Sequence, residues 1–364
     1  MSSRVLDDIL RNPLPGWMNG SGPESDVVIS SRLRLARNLE GHTFPEAATT
    51  ADLEAVRRLV AAACSIISQQ GGWGRFEFIE LDSISELDRQ VLVEKHLMSP
   101  QHAASPEGKG LMVSEDEVYS VMVNEEDHLR IQCLFSGLEL SQGWVAATGL
   151  DDALEARLDY AFCARRGYLT ACPTNLGTGL RASIMVHIPA LVMASLAGGI
   201  FTAASKMGMV VRGMYGEGTE ALGDIFQLSN QISLGKSEEE IISNLEAVAR
   251  QIIEQERRAR AIFLRDMREQ VEDKVYRSFG ILRSARILPS DEAMKRWSEV
   301  KLGADRDIIR DVDRKSLNNL IVTTRPGFVQ KRAGKALSAF ERDVERAAMV
   351  RDSLGLHGAD WRKT

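Results

Sequence analysis

Three short segments of this chain carry residue types that can do chemistry. Cys172-Pro-Thr-Asn-Leu-Gly-Thr-Gly-Leu-Arg181 puts a thiol, two glycines and a fixed cation into one turn-rich stretch. A thiol becomes a useful nucleophile or anion where neighbouring positive charge lowers its pKa, and Gly177 and Gly179 let a backbone approach a ligand closely. The same residues also fit an ordinary glycine turn beside a buried cysteine. Asn124-Glu-Glu-Asp-His128 clusters carboxylates that suit a bound cation or a plain acidic hairpin tip, and Arg130 returns positive charge two residues on. Arg212-Gly-Met-Tyr-Gly-Glu217 adds another arginine and another carboxylate around two glycines. Together, Arg32, Arg34, Arg130, Arg181 and Arg212 can neutralise a triphosphate while Glu126 and Glu217 orient a cationic acceptor. Cations on one side and carboxylates on the other are what phosphoryl transfer to a guanidinium requires.

Such residues need elements to position them. Residues 26–35 alternate apolar and polar side chains, which predicts a half-buried strand with Ser30, Arg32 and Arg34 on one face. Helical spacing runs over 51–70 and 84–97, and 76–81 reads as a strand. Three strand candidates follow at 110–114, 118–124 and 128–135, with links too short for a crossover helix, so they must pair antiparallel. The Cys172 segment is expected as a loop between strands at 167–171 and 182–188. Helical patterns resume over 138–158 and 189–206, with strands at 209–213 and 225–229. Ser237 followed by three glutamates opens a capped helix. The layout predicts an α+β fold, an antiparallel β-sheet flanked by helices over residues 1–255, with an all-α domain over 256–364 packed against it.

Composition frames these readings. A chain of 364 residues with 44% hydrophobic and 26% charged content can bury a large core. A net charge of −6 argues against direct nucleic-acid binding, although 34 of the 45 basic residues are arginine, which grips phosphate with a planar fork. Cys64, Cys133, Cys163 and Cys172 show no metal-ligand spacing, so a resident metal is not expected and a reducing cytoplasm is. The apolar run 190–204 is too short and glycine-broken to span a bilayer and reads as a buried helix, so no membrane association is expected.

Ser30-Ser-Arg-Leu-Arg34, Asn124-Glu-Glu-Asp-His128, the Cys172–Arg181 segment and Arg212-Gly, four motifs in this order along the chain, resemble those of the phosphagen (ATP:guanido) kinase family over residues 25–255. The resemblance implies a glutamine-synthetase-like catalytic sheet and ATP as substrate, with Mg²⁺ bound to the nucleotide. It implies nucleotide contacts from Ser30, Ser31, Arg32, Leu33, Arg34, His96, Arg130, Arg181, Ala182, Ser183, Ile184, Met185, Arg212, Gly213, Met214, Tyr215, Gly216 and Glu217, with 181–185 and 212–217 forming loops around the nucleotide. Glu126 would grip the acceptor guanidinium, Glu217 would be the second carboxylate, and Cys172 the reactive thiol beside them. Met185 stands where the family commonly has an adenine-packing histidine, and His187 lies two residues on.

Family members also carry a small N-terminal helical domain that encloses a small guanidino substrate, and no counterpart is expected ahead of residue 25. A more open site admits an arginine within a polypeptide. With the helical C-terminal extension, this narrows the resemblance to the bacterial protein arginine kinases of the family. Arg342-Asp-Val-Glu-Arg-Ala347 resembles their RDxxRA phosphoarginine-sensing element, with Arg342, Asp343, Arg346 and Ala347 as its binding residues. Arg342 and Arg346, four apart on one helical face, would clasp a phosphate. The resemblance further implies stress-response repressors and unfolded proteins as substrates, the Clp protease machinery, a small zinc-binding activator and a homodimer. The rival readings are a kinase of free arginine or another small guanidine, and a non-catalytic scaffold that binds phosphoarginine.

Overall fold

Alternating side chains at 28–37 place one strand at the centre of the computed structural model, which describes residues 4–12, 14–215, 221–310, 312 and 314–354. The strands are β1 (Val28–Arg37), β2 (Phe76–Glu80), β3 (Gly110–Ser114), β4 (Tyr119–Val123), β5 (Leu129–Ser136), β6 (Phe162–Cys163), β7 (Gly167–Tyr168), β8 (Leu180–His187), β9 (Met209–Tyr215) and β10 (Ala221–Asn230). Eight of them form one antiparallel sheet in the order β2-β3-β4-β5-β1-β8-β10-β9, and β6 and β7 make a separate ribbon. The helices are α1 (Arg4–Arg11), α2 (Thr50–Gln70), α3 (Glu86–Glu94), α4 (Pro100–Ala104), α5 (Leu140–Glu155), α6 (Pro189–Met193), α7 (Ala197–Lys206), α8 (Glu238–Asp266), α9 (Arg268–Ser284), α10 (Ser290–Asp305), α11 (Arg314–Thr323), α12 (Pro326–Ala333) and α13 (Ala339–Ser353).

The period-two pattern of the strands divides the interior into two cores. Leu33 and Leu35 of β1 and Ala182 and Ile184 of β8 join Val56 and Val60 of α2, Leu150 and Leu154 of α5, and Leu245 of α8 on one face. Leu134 of β5 and Met185 of β8 point the other way, into a core with Trp297 of α10, Ile321 of α11 and Val350 of α13. The C-terminal helices therefore cover part of the sheet face that carries Arg32 and Arg34. Ser237 caps α8 as its sequence predicts, accepting from the Glu240 N–H while the Glu240 carboxylate accepts from the Ser237 N–H.

Several expected extents are corrected. Residues 189–206 are not one buried helix. They form α6 and α7, separated at Ser195, whose φ of 58° is left-handed, and Gly198, Gly199, Thr202 and Ala203 of α7 are exposed. The paired glycines offer no side chains to bury, so the segment satisfies its apolar residues on one side only. The strand expected at 167–171 stops at Tyr168, because the next backbone groups bond elsewhere: Leu169 N donates to Ala161 O and Ala171 N to the Asp127 carboxylate. Residues 181–185 lie within β8, not in a loop, and 212–215 lie within β9. Residue 255 falls inside α8, which continues unbroken to Asp266. Among the described residues no helix is long and apolar enough to cross a membrane.

Candidate active site

Strand register assembles the polar residues into a grid. Across β1 and β8, Arg34 faces Arg181, Arg32 faces Ser183 and Ser30 faces Met185. Across β1 and β5, Arg34 faces Gln132 and Ala36 faces Arg130. Gln227 of β10 faces both Met185 of β8 and Arg212 of β9. Cross-strand partners point to the same side, so five arginines from four strands converge where the helical layer leaves the sheet open. Their intervening neighbours do not. Leu33, Ala182 and Ile184 belong to the opposite core, and the Ser31 hydroxyl donates to Gly137 O and accepts from Glu139 N.

The convergence lines a 730 Å³ cavity whose walls include Arg32, Arg34, Arg130, Arg181, Arg212, Gly213, Met214, His96, Glu125 and Glu126. Burial, then the like charges of Arg32, Arg130 and Arg181, push the Arg34 guanidinium well below its ordinary value, with Glu125 opposing. Burial, then Arg212 and Arg130, lower Arg181, while Cys172 and Glu126 pull it back. The buried Nε–H groups of Arg34 and Arg181 have no hydrogen-bond partner among the described residues. Crowded guanidinium groups with unused donors are costly unless an anion completes them. The cavity thus presents a preorganised field for a polyanion.

His96 marks one end. It follows α3 with φ of 60°, its carbonyl accepts from Gln132 Nε2 at 2.8 Å, and Trp17 meets its ring edge-on at 5.3 Å. Burial, then Arg32 and Arg325, lower its pKa to about 3, so the ring is neutral near pH 7. Beside it a narrow crevice lies between Trp17, Ser30, Leu134 and Met185. Arg32, Ser183 and Gln227 also line it. His187 is sealed under α10, bonded to Ser298 Oγ at 2.8 Å and packed on Trp297, and takes no part.

The β4–β5 hairpin marks the other end. Glu125 is tied to Arg130 at 2.5 Å and accepts from Ser99 Oγ at 2.6 Å, whereas Glu126 is exposed to the cavity. Burial raises the Glu125 pKa, but Arg130 and the Ser99 hydroxyl outweigh it and hold the carboxyl low. Asp127 turns inward, accepting from Asn38 Nδ2 at 2.6 Å and from Ala171 N at 2.7 Å. Asn38 also donates to Leu169 O and accepts from His128 N. The hairpin and the Cys172 loop are thereby clamped to each other.

Cys172 does not line the cavity; its Sγ lies 3.0 Å from Thr174 Oγ1, within electrostatic reach of Arg181. Gly177 and Gly179 serve the loop's own packing, not a ligand's approach. Both have positive φ, and a Cβ on Gly179 would meet Arg37 Nη1 at 2.5 Å and Ala36 O at 2.6 Å. Gly216, Glu217 and the Tyr215 side chain lie outside the described residues.

The pair expected to clasp a phosphate is not open. Arg346 is 1% exposed, donating through Nε to Thr324 O at 2.6 Å and through Nη1 to Leu288 O at 2.8 Å and to Asp343, while Arg342 donates to Leu337 O. The reason is helical phase: Arg346 shares its face of α13 with buried Ala347, Met349 and Val350. Sequence reasoning missed Trp17, Asn38, Glu125, Gln132, Gln227 and Arg325 at the site. For Asn38 and Glu125 the signal was proximity to β1 and Glu126; Trp17 and Arg325 gave none.

Among the described residues no three His, Cys, Asp or Glu side chains gather to hold a metal ion. Mg²⁺ carried on nucleotide phosphates needs only one or two carboxylates; Glu94, Glu125 and Glu126 line the cavity, Glu94 bonded to the Gly327 and Phe328 N–H groups and Glu125 to Arg130 and Ser99, which leaves Glu126 as the carboxylate exposed there.

Known proteins are similar to this chain in sequence and fold. Residues 56–259, over half the chain, match the family described as ATP:guanido phosphotransferase, C-terminal catalytic domain, and residues 268–363 match the Protein-arginine kinase McsB C-terminal domain. A protein-arginine kinase of Symbiobacterium thermophilum is 52% identical over 93% of this chain and 96% of its own length. That of Moorella thermoacetica is 52% identical over 93% of this chain and 97% of its own. Among solved structures, lombricine kinase aligns with a TM-score of 0.58 at 25% identity, covering 67% of this chain and 69% of that one. The duplicated taurocyamine kinase of Schistosoma mansoni with bound transition-state-analogue components aligns at 0.59 and 26% identity, covering 70% and 36%. The chain belongs to the ATP:guanido phosphotransferase family.

Proposed function

We propose that this phosphotransferase moves the γ-phosphoryl group of ATP, delivered with Mg²⁺, onto a guanidino nitrogen of arginine residues in proteins. The observation that carries the reading is the single cavity joining five arginines to the exposed carboxylate of Glu126. The kinship with relatives named protein-arginine kinase over nearly their whole length supports it. The triphosphate lies along the arginines with its base toward Trp17, His96 and Met185. The acceptor guanidinium, cationic below a pKa of about 12, is held by Glu126 and, as the family motif implies, Glu217. As the N–P bond forms and the bond from phosphorus to the β–γ bridging oxygen breaks, a guanidinium proton passes to a carboxylate and ADP leaves. Cys172, which the family motif implies beside the acceptor, would tune the same guanidinium from outside the cavity wall.

The reading extends to phosphoarginine sensing by the Arg342–Ala347 segment, which requires Arg346 to leave Thr324 O, Leu288 O and Asp343, to stress-response repressors and unfolded proteins as substrates, and to delivery to the Clp protease machinery. It also includes a small zinc-binding activator, a homodimer and a cytoplasmic setting. The test supplies purified enzyme and Mg-ATP with a model protein and, separately, with free arginine. Acid-labile, alkali-stable phosphate on the protein is the expected result; label found only on free arginine contradicts the protein acceptor.

A further inference from the structure

We propose that Arg325, contributed by the C-terminal helices, is a sixth guanidinium of the nucleotide site. The proposal rests on the reading of the cavity as that site. Arg325 lies on the cavity wall with Arg32, Arg34 and His96, and its charge acts on both His96 and Glu94. It is therefore at the His96 end, opposite the Glu126 hairpin, where the phosphates nearest the nucleoside would lie. A guanidinium suits that place because its planar donors match phosphate oxygens.

The segment around Arg325 is held from both sides. Immediately after it, the buried Glu94 carboxylate at the end of α3 accepts the N–H of Gly327 at 2.7 Å and of Phe328 at 2.8 Å. Gln90 Nε2 adds a third bond to Glu94 at 3.2 Å. Immediately before it, Thr324 O receives Arg346 Nε at 2.6 Å, and Lys331 pairs with Asp88 further along α12. Glycine at 327 permits the close approach, since a Cβ there would meet Gln90 Cγ at 2.8 Å and Glu94 Oε2 at 2.9 Å. Glu94 is thus supplied with donors by backbone and Gln90. The arrangement fixes where the Arg325 backbone sits against the catalytic sheet, so the side chain reaches the cavity from a rigid base.

The experiment measures ADP affinity with Mg²⁺ present, thermal melting without nucleotide, and KM for ATP and for a protein acceptor, using the full chain. Wild type is compared with Arg325→Ala, Arg325→Gln and Arg325→Lys, with Arg181→Gln as the control for the cavity reading. The proposal expects Arg325→Ala and Arg325→Gln to weaken ADP and raise KM for ATP about tenfold, with Arg325→Lys between them and wild type, acceptor KM within twofold, and kcat little changed. A purely structural role would instead lower the melting temperature and leave the ADP affinity of the folded protein as in wild type. ADP affinity unchanged in Arg325→Gln while Arg181→Gln loses it overturns the role of Arg325 and leaves the cavity reading standing. ADP affinity unchanged in Arg181→Gln as well overturns both.

Discussion

Glu125 and Glu126 are sequence neighbours with different occupations, and the difference decides which of them can serve an acceptor. Glu125 is spent on Arg130 and Ser99, while Glu126 stands exposed at the cavity rim. Glu126→Gln should lower transfer by at least about a hundredfold, in the range of a lost general base, with ADP affinity within twofold of wild type. Turnover near the wild-type rate assigns the proton to another group. His96 makes a second prediction at this scale. With a folded pKa of about 3, it stays neutral from pH 5 to 8, so it imposes no pH dependence on nucleotide binding there. In the unfolded chain the same imidazole protonates below about 6.5. Its depressed folded pKa therefore makes stability fall as pH drops from about 6.5 toward 3. Denaturant titrations should show this slope reduced in His96→Asn; equal slopes in the two proteins contradict a buried neutral ring.

At the scale of elements, the site depends on strands for its cations and on clamps for its loops. The strand part was legible in sequence, because a period of two at Ser30, Arg32 and Arg34 already puts them on one face, and antiparallel pairing follows from the short links between 110 and 135. The clamps were not, since their meaning lies in contacts between distant segments: Asn38 reaches Asp127 and Leu169, and Gly179 is required by Arg37 and Ala36 instead of by a ligand. The same limit applies to Arg346, whose helical spacing was plain but whose burial depends on what α13 packs against. Asn38 is 1% exposed and holds the hairpin and the Cys172 loop together. Asn38→Ala should cost about 2 kcal/mol by leaving buried groups unpaired. It should also raise KM for the acceptor more than KM for ATP, because the nucleotide strands do not depend on it. Equal effects on both constants, measured in the folded variant, argue against that division.

For the molecule as a whole, helices pack on both faces of the sheet, and the arginines converge at a cavity in the face that α10, α11 and α13 partly cover, so the fold concentrates like charge there. That concentration opposes folding in the absence of a ligand. Arg181→Gln, which removes one charge from the cluster around Arg34, should raise the melting temperature of the nucleotide-free protein by about 1–2 °C. The same substitution should abolish the further rise that ADP produces; a lower melting temperature without nucleotide would instead make Arg181 a structural residue. The acceptor is the part least visible in the fold, since Glu217 lies outside the described residues and the activity on proteins rests on kinship and the exposed position of Glu126.

The most direct measurement follows phosphorus itself. ³¹P NMR of the full chain with Mg-ATP, a folded protein substrate and free arginine, read under alkaline conditions on the separated macromolecular and small-molecule fractions, reports the bond that forms. The account predicts a phosphoramidate signal on the macromolecule with one ADP released per phosphoryl group transferred, absent with Glu126→Gln. Phosphate found only as inorganic phosphate, as a phosphoester or on free arginine would contradict it.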